Sequence, residues 1–330
     1  MKKSLNELIS DTKKSLSQKN YDDALKNLYL IIKKDTNNLS ALSTIGDIKV
    51  FQRKYIDAIE VFDKIIQKNP KLPLIYNNKG FCLLRMNKYS ESIQAFQNAI
   101  QNKKDFSEAY NNLGFAFKKL GDYAKSKENF LKAIEYKGNY FQAFNNLTAL
   151  TLEENNLEEA SKFAKKSIQI NQKNFEAYNN LGLILKKNND TKNSLINFHK
   201  ALEIKPNYLP TLINLTKSYD GLKDYNKAFD YISKALEIEP ENVNALSILI
   251  YLKLKTCDCN GLDALKNKLI NLSIDFKDKV IQPYYSLLLT EDIKFQKMIS
   301  DKWSKNHLGL PRSETFQKES ISSANKKIKL

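Results

Sequence analysis

An all-α solenoid of stacked helical hairpins is the fold this sequence predicts, and three observations predict it. The stretch Ala109-Tyr110-Asn111-Asn112-Leu113-Gly114-Phe115 recurs every 34 residues: Asn77-Asn78-Lys79-Gly80, Asn145-Asn146-Leu147-Thr148 and Asn179-Asn180-Leu181-Gly182 are copies, and Asn214-Leu215-Thr216 is a further one. Within each copy the apolar and small residues follow the 3.6-residue period: positions 4, 7, 8 and 11 share one face of a first helix, and 20, 24 and 27 one face of a second. The composition is rich in Leu, Ile, Lys, Asn and Ala, with only 9 Gly and 7 Pro in 330 residues, which favours helix over strand.

With Gly114 at position 8, seven units follow without an insertion: 5–38, 39–72, 73–106, 107–140, 141–174, 175–208 and 209–242. Position 8 reads Thr12, Gly46, Gly80, Gly114, Thr148, Gly182 and Thr216; position 20 reads Ala24, Ala58, Ser92, Ser126, Ala160, Ser194 and Ala228. Position 24 reads Leu28, Phe62, Phe96, Phe130, Ala164, Phe198 and Ile232. Small residues at 8 and 20 let the paired helices approach closely, and the ring at 24 fills the space beside that contact. One hairpin alone leaves half its apolar surface wet, so neighbours must stack, and the stack curves around a concave inner wall. Thr12, Thr148 and Thr216 are β-branched where Gly stands elsewhere, so those junctions are expected to be looser. Unit 1 matches least well, as suits a terminal cap with a polar outer face carrying Asn6, Ser10, Lys13, Lys14 and Ser17.

These columns resemble the tetratricopeptide repeat, with Leu8, Leu42, Tyr76, Tyr110, Phe144, Tyr178 and Leu212 at position 4 and Pro70, Pro206 and Pro240 at position 32. The resemblance implies a right-handed superhelical solenoid of seven repeats over residues 1–242, with a C-terminal helical extension. Residues 243–256 read as a closing helix, 257–305 as a helical linker region in which the repeat has stopped, and 306–330, rich in Ser, as a flexible tail.

Composition narrows the function. The net charge of +16 favours acidic partners electrostatically. Arg53, Arg85 and Arg312 are the only arginines among 53 basic residues, however, and phosphate recognition favours the bidentate guanidinium, so the sequence argues against nucleic acid. Cys82, Cys257 and Cys259 imply no disulfide framework and, with an N-terminus lacking an apolar signal segment and no apolar run long enough to span a bilayer, lead to the expectation of a soluble, cytoplasmic chain. No cofactor is expected. Cys257 and Cys259 lack a second Cys or His pair, so no metal site is expected either. His199 at an outward position 25 and His307 in the linker read as exposed residues without a chemical partner. Cys82 reads as a small packing residue.

The candidate site is a surface for peptide. Asn78, Asn112, Asn146, Asn180 and Asn214 occupy position 6 in five consecutive repeats, about 200° around the helix from position 4, and so face the inner wall. A carboxamide both donates to and accepts from a peptide bond, so this row forms a candidate ladder along a threaded backbone. The alternative is that Asn there is only polar and solvated, since Asn77, Asn111, Asn145 and Asn179 at position 5 repeat the same residue. Positions 2, 9 and 13 flank the row, giving Leu74, Phe81 and Arg85, then Glu108, Phe115 and Lys119, then Glu176, Leu183 and Lys187. The expected function is a scaffold that holds extended segments of a protein or peptide partner in the concave groove.

An array with Asn at position 6 is similar to that of O-linked N-acetylglucosamine transferases, whose bacterial members follow it with a Cys-Asp-Trp segment, a Pro-Phe segment leading to Leu-rich sequence, and a strand opening the catalytic domain. Cys257-Asp258-Cys259, Gln282-Pro283-Tyr284-Tyr285-Ser286-Leu287-Leu288-Leu289 and Lys326-Lys327-Ile328-Lys329-Leu330 fall in that order. Cys259 replaces the Trp and Tyr284 the Phe. The resemblance implies the alternative of a substrate-recruiting arm of a truncated or split glycosyltransferase, partnered by a separate catalytic domain. The family's catalytic His and nucleotide-binding Lys have no counterparts here, so this chain by itself is not expected to be an enzyme.

Overall fold

The computed structural model describes residues 3–275, 281, 282, 285, 289 and 293–307, and among them every regular element is an α-helix. The chain divides into two compact units, residues 1–204 and 205–330. In the first unit α1 (Leu5–Ser17) pairs with α2 (Tyr21–Lys34), α3 (Leu39–Phe51) with α4 (Tyr55–Lys68), and α5 (Pro73–Arg85) with α6 (Tyr89–Asn102). There follow α7 (Ser107–Lys119) with α8 (Tyr123–Tyr136), α9 (Phe141–Glu153) with α10 (Leu157–Ile170), and α11 (Phe175–Lys187) with α12 (Thr191–Ile204). In the second unit α13 (Leu209–Gly221) pairs with α14 (Tyr225–Ile238), α15 (Val243–Lys255) with α16 (Leu262–Asp275), and α17 (Ile293–His307) follows.

One turn design closes each first helix. Position 15 has left-handed φ in every unit, at Lys19, Arg53, Asn87, Gly121, Asn155, Asn189 and Lys223. Only one of these is glycine, and the others accept a strain of roughly 1–2 kcal/mol because the turn satisfies the helix end. The N–H of Gly121 donates to the Lys118 carbonyl at 3.0 Å and that of Asp122 to Phe117 at 3.0 Å, the pair of bonds that ends a helix on a left-handed residue. The next residue then caps the second helix: Asn20, Asp122, Asn156 and Asp224 each accept from a first-turn N–H.

The hairpin interior rests on a volume match between positions 8 and 24. Phe62, Phe96, Phe130 and Phe198 are fully buried. A Cβ on Gly80, Gly114 or Gly182 would stand 2.6, 2.8 or 2.6 Å from the ring of Phe96, Phe130 or Phe198, and one on Gly46 would collide with Phe62 in the same way. Where position 8 is Thr, position 24 is Leu28, Ala164 or Ile232 and never Phe. Thr12, Thr148 and Thr216 are buried, and each hydroxyl donates to the carbonyl four residues back, Leu8 at 2.7 Å, Phe144 at 2.8 Å and Leu212 at 2.9 Å. At these threonines the residue opposite is smaller than Phe, which gives the branched side chain its room.

Hairpin geometry also runs further than the side-chain columns. Cys257 takes φ 55° at the place in α15–α16 where Lys223 takes φ 60° in α13–α14. Ile250 stands buried at position 8, with Lys266 opposite in the position-24 place. Val243, Leu246, Ile250, Leu262, Leu269 and Leu272 share one core with Ile281, Leu289 and Ile299. α15 and α16 thus pack together beyond the seven units, around a left-handed turn and one apolar stripe, without a small residue at position 8. At the other end Asn6, Ser10, Lys13, Lys14 and Ser17 are all exposed. Pro283, Tyr284, Leu287, Leu288 and residues 308–330, including Lys326 to Leu330, lie outside the described residues.

Gly182→Ala should lower stability by about 1–3 kcal/mol by overpacking Phe198, and Phe198→Ala by about 3–5 kcal/mol by leaving a cavity. The pair Gly182→Thr with Phe198→Ala copies Thr148 facing Ala164 and should cost less than the sum of its single variants, measured as shifts of the urea midpoint. Strict additivity would contradict the volume match.

Candidate functional site

Four consecutive first helices of the first unit, α5, α7, α9 and α11, line one open cavity of about 640 Å³. Phe81, Leu84 and Arg85 come from α5, Asn112, Phe115 and Lys119 from α7, Asn145 and Asn146 from α9, and Glu176 from α11. Five residues anticipated as contact residues, Asn112, Asn146, Phe81, Phe115 and Lys119, thus share one cavity, as does Arg85 beside them. Asn78, Asn180 and Lys187 do not line it, and Asn214 belongs to the second unit. Lys187 is exposed, its Nζ 3.3 Å from Asn155 Oδ1.

The asparagine row is tied together from repeat to repeat. Asn112 Nδ2 donates to Asn77 Oδ1 at 3.0 Å, and Asn146 Nδ2 donates to Asn111 Oδ1 at 2.8 Å. Asn78 Nδ2 donates to Asp47 at 3.1 Å, because position 5 of that earlier repeat is Ser43. Position 5 is buried, with Asn77, Asn111, Asn145 and Asn179 at 4–9 % exposure, while position 6 is half-buried. Two of the position-5 copies, Asn77 and Asn111, are thus buried acceptors of the row. The signal was present in the paired Asn-Asn of four repeats. Asn112 and Asn146 each spend one N–H on register and keep a second N–H and the carbonyl.

The sixth repeat breaks the pattern. Asn145 Oδ1 already accepts from Asn174 Nδ2 at 3.0 Å and lies 2.7 Å from the Ser167 hydroxyl, whose single proton goes to it or to the Phe141 carbonyl at 3.0 Å. Asn145 Nδ2 donates in turn to Asn174 Oδ1 at 3.2 Å and Glu176 Oε2 at 3.1 Å, and Asn174 Nδ2 to Ser167 Oγ at 2.8 Å. Equivalent positions in the two preceding repeats are apolar, Ala99 with Phe106 and Ala133 with Tyr140. Ser167 and Asn174 therefore build a closed, buried amide network that holds Glu176 over α9 at the rim of the cavity.

Other chemistry-bearing residues lie elsewhere. Cys82 is fully buried, and burial first, then the Asp47 carboxylate, pushes its thiol up to about 12, which suits packing and not nucleophilic attack. Cys257 and Cys259 are exposed. His199 is half-buried, not exposed as the sequence suggested, and the side chain of His307 lies outside the described ones. Among the described residues no cluster of three His, Cys, Asp or Glu could hold a metal ion, and no helix is long and apolar enough to cross a membrane.

Residues 107–140 and 209–242 match the family described as Tetratricopeptide repeat, with the same bounds as two of the units above. A second family of that description matches 61–94 and 163–195, out of phase with the units above, and one described as TPR repeat matches 82–121. No curated protein matches the chain in sequence. Among solved structures, the APC/C hetero-tetramer Cut9-Hcn1 is similar at 17% identity and a TM-score of 0.65, over 87% of this chain and 55% of that one. A tetratricopeptide repeat protein from Parabacteroides merdae is similar at 15% identity and a TM-score of 0.63, over 76% of this chain and 98% of that one. The pilF protein of Pseudomonas aeruginosa follows at 17% and 0.55, over 62% and 93%. At these identities the likeness carries the fold alone. This chain spans little more than half of the Cut9-Hcn1 chain.

Asn174→Ala should cost about 1–3 kcal/mol, since it strands buried partners and removes a helix cap. The double change Ser167→Ala with Asn174→Tyr restores the apolar pair of the preceding repeat and should cost less than Asn174→Ala alone in urea denaturation. In the folded protein two thiols should react promptly with a disulfide reagent, and the third, Cys82, only on unfolding; three fast thiols would contradict its burial.

Proposed function

We propose that this tetratricopeptide repeat protein is an interaction scaffold that holds an extended segment of a partner protein across the first helices of repeats 3 to 6. The observation that carries the reading is the cavity in which Asn112 and Asn146, each with an N–H and a carbonyl to spare, stand beside Phe81 and Phe115. Such amides bind peptide backbone whatever its side chains, and the two rings supply apolar area for alternate residues. Asn78 and Asn180 extend the same row within the first unit, Lys187 borders it, and Asn214 holds the equivalent sequence position in the seventh repeat. Residues 1–242 form the binding array on this reading. The alternative, a recruiting arm of a glycosyltransferase in which another chain supplies the chemistry, rests on the order of the three sequence segments that follow the array. Cys257-Asp258-Cys259, the first of them, stands in the α15–α16 turn, where Asp258 pairs with Lys253 at 2.5 Å.

Four helices at roughly 9 Å spacing call for a peptide of about ten to twelve extended residues, so a random library of that length displayed on phage is the probe. Panning on the full chain should enrich binders, and the triple variant Asn112→Ala, Asn146→Ala, Asn180→Ala should bind an enriched peptide at least about tenfold more weakly, by the loss of charge-neutral hydrogen bonds, with unchanged helicity. Equal affinity would remove the asparagine row from the site, and a library that yields no binder would remove the groove.

A further inference from the structure

We propose that the turn between α15 and α16 binds a soft monovalent metal ion, Cu(I), between the thiolates of Cys257 and Cys259. The site lies in the second unit and is independent of the peptide groove. Cys82 is buried, and the other two cysteines stand exposed, two residues apart in one turn. Neither is what this turn uses elsewhere. Position 15, the left-handed residue, is Lys, Arg, Asn or Gly in the seven repeats and Cys257 here. Left-handed backbone suits Gly and Asn better than Cys. Position 17, which opens the second helix, is Tyr in five repeats and Leu157 or Thr191 in the others, half-buried in all but Tyr123. Here it is Cys259, exposed and outside the helix. The same turn forms seven times in this chain without a thiol at either place, so folding gives neither cysteine a task.

The turn is also rebuilt around the pair. Three residues join the two helices of each repeat, and six, 256–261, join α15 to α16. Position 16 caps the second helix at Asp122 and Asp224, but Asp258 is turned to other partners. Its carboxylate accepts from Lys253 Nζ at 2.5 Å and from the Asn260 N–H at 3.0 Å. Lys253 Nζ also donates to the Asn260 carbonyl at 2.9 Å, and the Lys253 side chain is only 15% exposed. The middle residue of Cys-Asp-Cys is therefore fastened to α15, while the cysteine on either side of it faces solvent. Cys259 Sγ lies 4.0 Å from the Cys257 carbonyl oxygen, so the second sulfur is folded back towards the first cysteine. The donor set decides the ion. Zn(II) asks for four ligands, and among the described residues no group of three His, Cys, Asp or Glu is placed to hold a metal. With Asp258 engaged by Lys253, two sulfurs remain; soft thiolates select Cu(I), which two of them satisfy in a near-linear arrangement. Binding forms two Cu–S bonds and releases both thiol protons to solvent, and the copper keeps its oxidation state.

The test is a competition for Cu(I), kept reduced with ascorbate, between the full chain and the chromophoric chelator bicinchoninate. The wild-type chain, its thiols reduced beforehand, should withdraw one ion per chain from the coloured complex, and so should Cys82→Ala. Cys257→Ser and Cys259→Ser, at exposed positions, should keep the wild-type helicity and each withdraw none at the same chelator concentration. X-ray absorption of the loaded chain should show two sulfur neighbours around copper, and size-exclusion chromatography should show the same species with and without the ion. Zn(II), offered against a zinc-responsive dye, should not be retained. A wild-type chain that leaves the chelator fully coloured would overturn the proposal. So would withdrawal that survives either serine variant, a copper ion shared between two chains, or Zn(II) held as firmly as Cu(I).

Discussion

The contact between position 8 and position 24 is the constraint on which the remaining structure depends. Two helices of a hairpin come close only if the first offers no side chain where the second inserts a ring, and at Gly80, Gly114 and Gly182 even a methyl group would stand inside van der Waals contact. The same space is filled another way at Thr148 and Ala164, and again at Thr216 and Ile232. Within the seven repeats Phe at position 24 therefore stands only opposite Gly, and Thr at position 8 only opposite a smaller residue. Once that distance is set, the first helices of successive repeats lie side by side, and positions 5 and 6 of one repeat come within hydrogen-bonding reach of the next.

That proximity gives the asparagines two tasks. At Asn77 and Asn111 position 5 is buried and accepts; at Asn112 and Asn146 position 6 is half-buried, donates one N–H backwards, and keeps the rest of its amide at the cavity. A row of amides tied in this manner has its rotamers settled, which on the proposed reading would reduce the entropy lost on binding a peptide. Asparagine also caps helices at Asn20, Asn156 and Asn174, so its abundance in this chain has local structural uses beyond composition. Asn174 does both, capping α11 while closing the network on Asn145.

Charge is distributed with a similar economy. Most ion pairs are exposed or half-exposed links between neighbouring helices or along one helix, and such pairs contribute little to stability, roughly 0–1 kcal/mol each. Their consequence for the groove is one of bookkeeping by subtraction. Glu108 and Glu153 are engaged by lysines, and the charged residues that line the cavity are Arg85, Lys119 and Glu176.

The repeat length, the two helices of each repeat and the face each buries could be read from the sequence alone, because a 34-residue period and a 3.6-residue period are properties of residue order. The position-6 asparagines and the flanking Phe81, Phe115 and Lys119 were legible for the same reason. Tertiary structure decided what spacing cannot express. That Thr is accommodated by a smaller residue opposite, that position 5 is the buried acceptor for position 6, and that Ser167 and Asn174 together turn Asn145 towards Glu176 are relations between residues 16 to 35 apart in the chain. They depend on distances between packed side chains. So does the extra hairpin of α15 and α16, where backbone turn and burial persist after the pattern of small residues has lapsed.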